Sequence, residues 1–73
     1  MSALLHEELV EAFDFLDDLR ASGVTNMFGA APYLVDDLGW SRREAGEALS
    51  LWMKTFDPAV PVTDRALKAT GAS

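Results

Sequence analysis

Acid–base or metal chemistry in this chain would have to be built from one histidine and twelve carboxylates. A nucleophile with its base, or a histidine-based metal site, requires several convergent groups, and His6 stands alone beside glutamates at a predicted helix end. Two pairs of carboxylates are adjacent in the chain, Asp17–Asp18 and Asp36–Asp37, but on a helix the two side chains of each pair point in different directions. The glycine spacing matches neither a P-loop nor a dinucleotide-binding fingerprint. We therefore expect no enzyme, no metal site and no cofactor.

Composition predicts one small folded domain. The chain has 73 residues, of which 49% are hydrophobic and 25% charged, and it contains no cysteine. Missing thiols exclude disulfides and thiol catalysis and are compatible with the cytoplasm, where we expect the protein to be. The net charge of −6 disfavours nucleic acid and anionic membranes as general partners, although a local basic face escapes that argument. No signal peptide or membrane span is predicted.

Apolar residues at steps of three and four predict a first helix from about Ser2 to Ala21, ended by Ser22-Gly23. Its predicted buried side is Leu5, Leu9, Ala12, Phe13, Leu16 and Leu19. The opposite side carries an acidic stripe formed by Glu7, Glu11, Asp14 and Asp18. Like charges at this spacing repel, so helix stability does not require the stripe. It is either a solvated face or a surface for a basic partner.

Two further helices follow a predicted turn at residues 26–29. Pro32 is placed in the first turn of a short helix that runs to Leu38, and Gly39 ends it. Ser41 and Glu44 have capping-box spacing, which predicts a third helix from Arg42 to about Phe56. Its predicted apolar side is Ala45, Ala48, Leu49, Trp52 and Phe56. After Asp57-Pro58 we expect a loosely ordered tail, with a short helix at 63–68 as an open alternative.

An uncharged stretch runs from Ala21 to Val35. We expect Phe28 and Leu34 to complete the core from this stretch. Three helices of this size cannot bury every large apolar group, and exposed methionine and aromatic residues are typical of protein contacts. The sequence therefore predicts a partner-binding patch formed by Asn26, Met27, Tyr33 and Trp40.

The stretch "YLVDDLGWSRREAGEAL", residues 33–49, resembles the helix-turn-helix DNA-binding family. That resemblance implies that the helix after Ser41 enters the major groove. The residues it would bring to DNA are Arg42, Arg43, Ser50 and Lys54. The chain departs from the family at four positions. Val35 stands where a small residue is usual, and Trp40 is bulky for the turn. Glu44 and Glu47 place negative charge on the face that would read DNA.

The longer stretch "FLDDLRASGVTNMFGAAPYLVDDLGWSRREAGEALSLWMKTF", residues 15–56, is similar to small, largely uncharacterised helical proteins of bacteriophages and prophage-like regions. They share the T-N-M-F-G-A-x-P-Y-L segment and the Trp-Met ending of the third helix. This resemblance implies a phage context and a helical architecture, and it implies no activity.

These observations predict an all-α fold with a three-helix domain over residues 1–56 and a flexible tail over 57–73. The function they favour is a small acidic adaptor or regulatory module that works by protein–protein contact or self-association. Its partner is then an unknown protein or a second copy of the chain. The alternative is a helix-turn-helix DNA-binding regulator. Affinity that falls steeply with salt would indicate the DNA binder.

Overall fold

The computed structural model describes residues 4–23 and 29–70, which contain four helices and no strand. These are α1 (His6–Ser22), α2 (Ala31–Leu38), α3 (Arg42–Thr55) and α4 (Val62–Ala69). The all-α prediction is confirmed, but the described ranges contain four helices where three were expected. No helix in the described ranges has the length and apolar character needed to cross a membrane.

The first helix begins at His6, and this changes the role of Leu5. Leu5 is the N-cap residue with extended backbone angles (φ −81°, ψ 156°), and its N–H donates to Glu8 Oε1 at 2.9 Å. Since it lies outside the helix, helical spacing does not place it on the apolar side. Leu5 is 66% exposed, contrary to prediction, while the neighbouring Leu4 is buried. The other five residues of the predicted apolar side are buried, and Gly23 ends the helix as expected.

The α2–α3 region has the predicted boundaries. Pro32 lies in the first turn of α2, and Gly39 ends that helix in the left-handed conformation (φ 72°), which a side chain would strain. The capping box at the start of α3 is present: Ser41 Oγ accepts from the Glu44 N–H at 3.1 Å. The α3 helix ends at Thr55, one residue before the predicted limit.

The core lies between α1 and α3 and is closed by α2 and α4. Its largest fully buried side chains are Leu9, Phe13, Leu16 and Leu34, and Trp52 is 3% exposed. The expected core role of Leu34 is confirmed, whereas Phe28 lies outside the described residues. Phe56 is only half-buried, and its ring lies 4.8 Å from that of Trp52.

The fourth helix stands where a loosely ordered tail was expected, and it lies close to the short helix at 63–68 that the sequence left open. It begins after Pro61 as the N-cap residue, not after Thr63, and packs against both α1 and α3. Arg65 and Ala66 are buried in that contact. His6 Nε2 donates to the Thr63 carbonyl oxygen at 3.1 Å, joining the starts of α1 and α4. An isolated eight-residue helix is unstable in water, so this helix depends on its packing.

Candidate interaction surface on α3

One side of α3 carries an open groove of about 350 Å³, which we call the α3 groove; it is lined by Gly46, Leu49, Ser50, Met53 and Lys54. These positions follow one another at steps of three, one, three and one, so they form a single stripe along the helix. Leu49 is 7% exposed and belongs to the core, while Met53 is 36% exposed. The groove therefore has an apolar inner wall and a methionine at its edge, followed by the cationic Lys54.

At Gly46, the end of this groove nearest the start of α3 has no side chain. A Cβ atom added at Gly46 would meet nothing within 4 Å, so packing between the described residues does not require glycine here. Glycine in a helix interior costs about 0.8–1 kcal/mol relative to alanine. An exposed glycine in mid-helix is therefore unfavourable for the isolated chain. It does allow the backbone of another molecule to approach closely.

The residues of the alternative DNA-binding interpretation lie on the surface of α3. Arg42, Arg43, Ser50 and Lys54 are all exposed. Ser50 and Lys54 line the α3 groove, whereas Arg42 lines a separate groove of about 310 Å³ between α2 and α3. The remaining lining residues of that second groove are Ala31, Pro32, Val35 and Asp36.

The predicted partner-binding patch is described only in part. Asn26 and Met27 lie outside the described residues. Tyr33 and Trp40 are half-buried and pack against the core, so each presents only part of its ring to solvent. The patch remains a prediction. The acidic stripe of α1 is exposed along its whole length.

An anchor that was not predicted joins α4 to the rest of the fold. The Arg65 guanidinium donates from Nη1 and Nη2 to the two carboxylate oxygens of Asp17, at 3.1 and 2.5 Å. Trp52 Nε1 donates to the same carboxylate at 2.9 Å, and Arg65 Nε donates to the Val60 carbonyl at 3.0 Å. A single carboxylate thus connects α1, α3 and α4. The available signal was that Asp17 follows buried Phe13 by four residues, which places it beside the apolar side of α1.

Electrostatics at the anchor favour the charged form of both partners. Burial raises the pKa of the Asp17 carboxyl, but hydrogen bonds from Arg65 and Trp52 and the charges of Arg65 and Arg20 outweigh it and hold that pKa below its ordinary value. The hydrogen bonds to Asp17 raise the pKa of Arg65. Two guanidinium groups lie over the Phe56 ring, that of Arg20 at 4.7 Å and that of Arg65 at 5.4 Å from the ring centre.

In the described ranges, no group of three or more histidine or acidic side chains could hold a metal ion. No protein-family model, curated protein or solved structure matches this chain.

Proposed function

We propose that this protein is a small contact module that binds another protein chain through the α3 groove. The observation that carries this proposal is the groove itself, with its apolar wall, exposed Met53 and open position at Gly46. Methionine adapts to differently shaped apolar partners and is enriched in protein interfaces. The glycine and the exposed methionine are unfavourable or neutral for the isolated fold. Both are useful when a second backbone packs against α3.

The same change at two exposed apolar positions tests this proposal. Met53→Glu places a carboxylate in the α3 groove, whereas Leu67→Glu places it on α4, where the leucine is 43% exposed. Each variant and the wild type, immobilised through a tag, are used to capture proteins from a lysate of the source cell. Every captured protein is then purified and titrated against all three chains.

We expect Met53→Glu to weaken the titrated contact at least tenfold, because the interface would have to desolvate a charge. Leu67→Glu should bind as the wild type does. Equal binding by all three chains would refute the role of the α3 groove. Circular dichroism confirms that each variant keeps its helix content.

DNA binding is the second candidate, and the exposed basic side chains on α3 favour it. Arg42, Arg43 and Lys54 all reach solvent from the helix that the family resemblance would place in the major groove. The net charge of −6 opposes it, together with Glu44 and Glu47 on the same helix. We expect no complex with duplex DNA at physiological salt. A sub-micromolar complex that Arg42→Glu/Arg43→Glu abolishes would make DNA binding the better proposal.

Two aspects of the setting are also proposals. We propose a phage or prophage context from the resemblance that the sequence of residues 15–56 suggested, and a cytoplasmic location, with which the absence of cysteine is compatible. Fractionation of source cells with an antibody to the chain tests the location. Induction of prophages in the same cells, followed by measurement of the chain's abundance, tests the context.

A further inference from the structure

We propose that the partner in the α3 groove is the same groove of a second copy, with the two α3 helices antiparallel about a two-fold axis at Ser50. This inference rests on the proposed function and names its partner. A two-fold contact uses the same surface on both copies, so the surface must complement itself. The α3 groove does so in shape and in charge.

Shape complementarity follows from the order of residues along the stripe. In an antiparallel pair centred on Ser50, positions equally distant from Ser50 face each other, so Gly46 faces Lys54 of the second copy. Met53 of the second copy then lies diagonally beside Gly46. The open space above Gly46 receives the methionine side chain, and the relation repeats on the other side of the axis. This is how a side chain of one helix packs into a hole on another.

Charge determines the relative direction of the two helices. Glu47 and Lys54 are seven residues apart, which is two helical turns, and they lie on the same flank of the stripe. An antiparallel pair brings each Lys54 close to Glu47 of the second copy, giving two pairs of opposite charge. A parallel two-fold pair places the same flank of the two copies on opposite edges of the contact, so Lys54 would not meet Glu47 of the second copy. Opposite charges at flanking positions select orientation in paired helices, so the antiparallel arrangement is favoured.

The size of the contact predicts a weak dimer. Stable interfaces bury about 800 Å² per partner. The chain exposes 4589 Å² in total, so such an interface would need about a sixth of its surface. A stripe of five residues provides less than that. We therefore expect a dimer that dissociates on dilution, with a dissociation constant of about 10–100 μM.

Disulfide trapping tests the register, because the natural chain contains no cysteine and each variant carries only one. Ser50→Cys should form a covalent dimer readily under a glutathione redox buffer. Gly46→Cys and Lys54→Cys should cross-link with each other when mixed, and poorly with themselves. Glu11→Cys, exposed on α1, serves as the control and should not exceed random cross-linking. Self-linking at all three α3 positions would contradict the antiparallel register.

Sedimentation equilibrium with charge variants tests the contact without cross-linking. Lys54→Glu should weaken the dimer about tenfold, because two attractive pairs become repulsive. Combining it with Glu47→Lys restores opposite charges and should recover most of the affinity. Lys68→Glu on α4 makes the same charge change elsewhere and should leave the dimer unchanged. Circular dichroism of each variant confirms folding.

The possible outcomes separate this inference from the proposed function. A wild-type chain that stays monomeric up to about 1 mM overturns the dimer, since that concentration is at least about tenfold above the expected dissociation constant. If Met53→Glu then still abolishes binding of a captured protein, the α3 groove serves a different chain and the proposed function stands. If neither association is found, both proposals fail.

Discussion

The anchor between Arg65 and Asp17 gives the sharpest test of how α4 is held. Its two partners differ in burial, since the Arg65 side chain is 3% exposed and that of Asp17 is 31% exposed. Asp17→Asn keeps the size and one carbonyl oxygen for Trp52, but it leaves a buried guanidinium without its counter-charge. Arg65→Met removes the buried charge and leaves a carboxylate that water can reach. We therefore expect Asp17→Asn to be the more damaging substitution.

The magnitudes follow from that difference in burial. Breaking a buried ion pair costs about 3–5 kcal/mol when the remaining charge stays buried, and we expect Asp17→Asn to cost about 3 kcal/mol. Arg65→Met should cost about 1–2 kcal/mol, because Asp17 is partly hydrated and still accepts from Trp52. The double variant should resemble Arg65→Met, so the two effects do not add. For a domain of this size, with a total stability of about 4–11 kcal/mol, these are large changes.

Urea denaturation followed by circular dichroism gives the free energy of unfolding for the wild type, the two single variants and the double variant. Hydrogen exchange locates the change, and we expect faster exchange first in α4, because it depends on its packing. Asp18→Asn changes the neighbouring exposed carboxylate and should cost less than about 0.5 kcal/mol. Additive costs in the double variant, or unchanged exchange in α4, would refute the role of this ion pair as the anchor.

Four further predictions concern other parts of the fold. In acid, α4 should lose hydrogen-exchange protection before the core does. The pKa of Asp17 is lowered on folding, so the stability that its carboxylate contributes is present above the unfolded-state pKa and is lost as pH falls through the folded-state pKa. The Asp17→Asn variant should lack this pH-dependent step. Ser41→Ala should lower stability by about 1 kcal/mol, and equal denaturation midpoints and slopes would contradict the observed capping. Trp52→Ala should cost about 3–5 kcal/mol, and a cost below about 1 kcal/mol would be inconsistent with its central position in the core. Gly46→Ala should stabilise the dilute chain by about 1 kcal/mol in the same assay, and a loss of stability would mean that the space above Gly46 is not open.

Short-range signals account for the parts of the fold that the sequence predicted correctly. The start of α3 depends on Ser41 and Glu44, and the end of α2 depends on Gly39, so each boundary is decided within one helical turn. The buried side of α3 likewise follows from spacing, because apolar groups three and four residues apart share a face. The error at Leu5 arose where that rule stops, one residue before α1 begins.

The sequence left a short helix at 63–68 open, but it could not predict the packing of the fourth helix in the same way. This helix is too short to form alone, and the residue that anchors it, Asp17, is 48 positions away from Arg65 in the chain. Local patterns contain no information about such a pairing. They predicted a loosely ordered tail because Pro58 and Pro61 interrupt the sequence before a short segment of low helical stability.

Residue spacing in the sequence and packing in the tertiary structure each determine a different property of the α3 groove. Spacing alone indicates that Ser50 and Lys54 face away from the predicted core side of α3. Whether another element covers that side depends on where α1, α2 and α4 pack, and this is decided by contacts between distant residues. In the described part of the chain those helices leave the groove open. The sequence by itself thus determined which side chains α3 presents, and only the tertiary structure decided that they remain accessible to a partner.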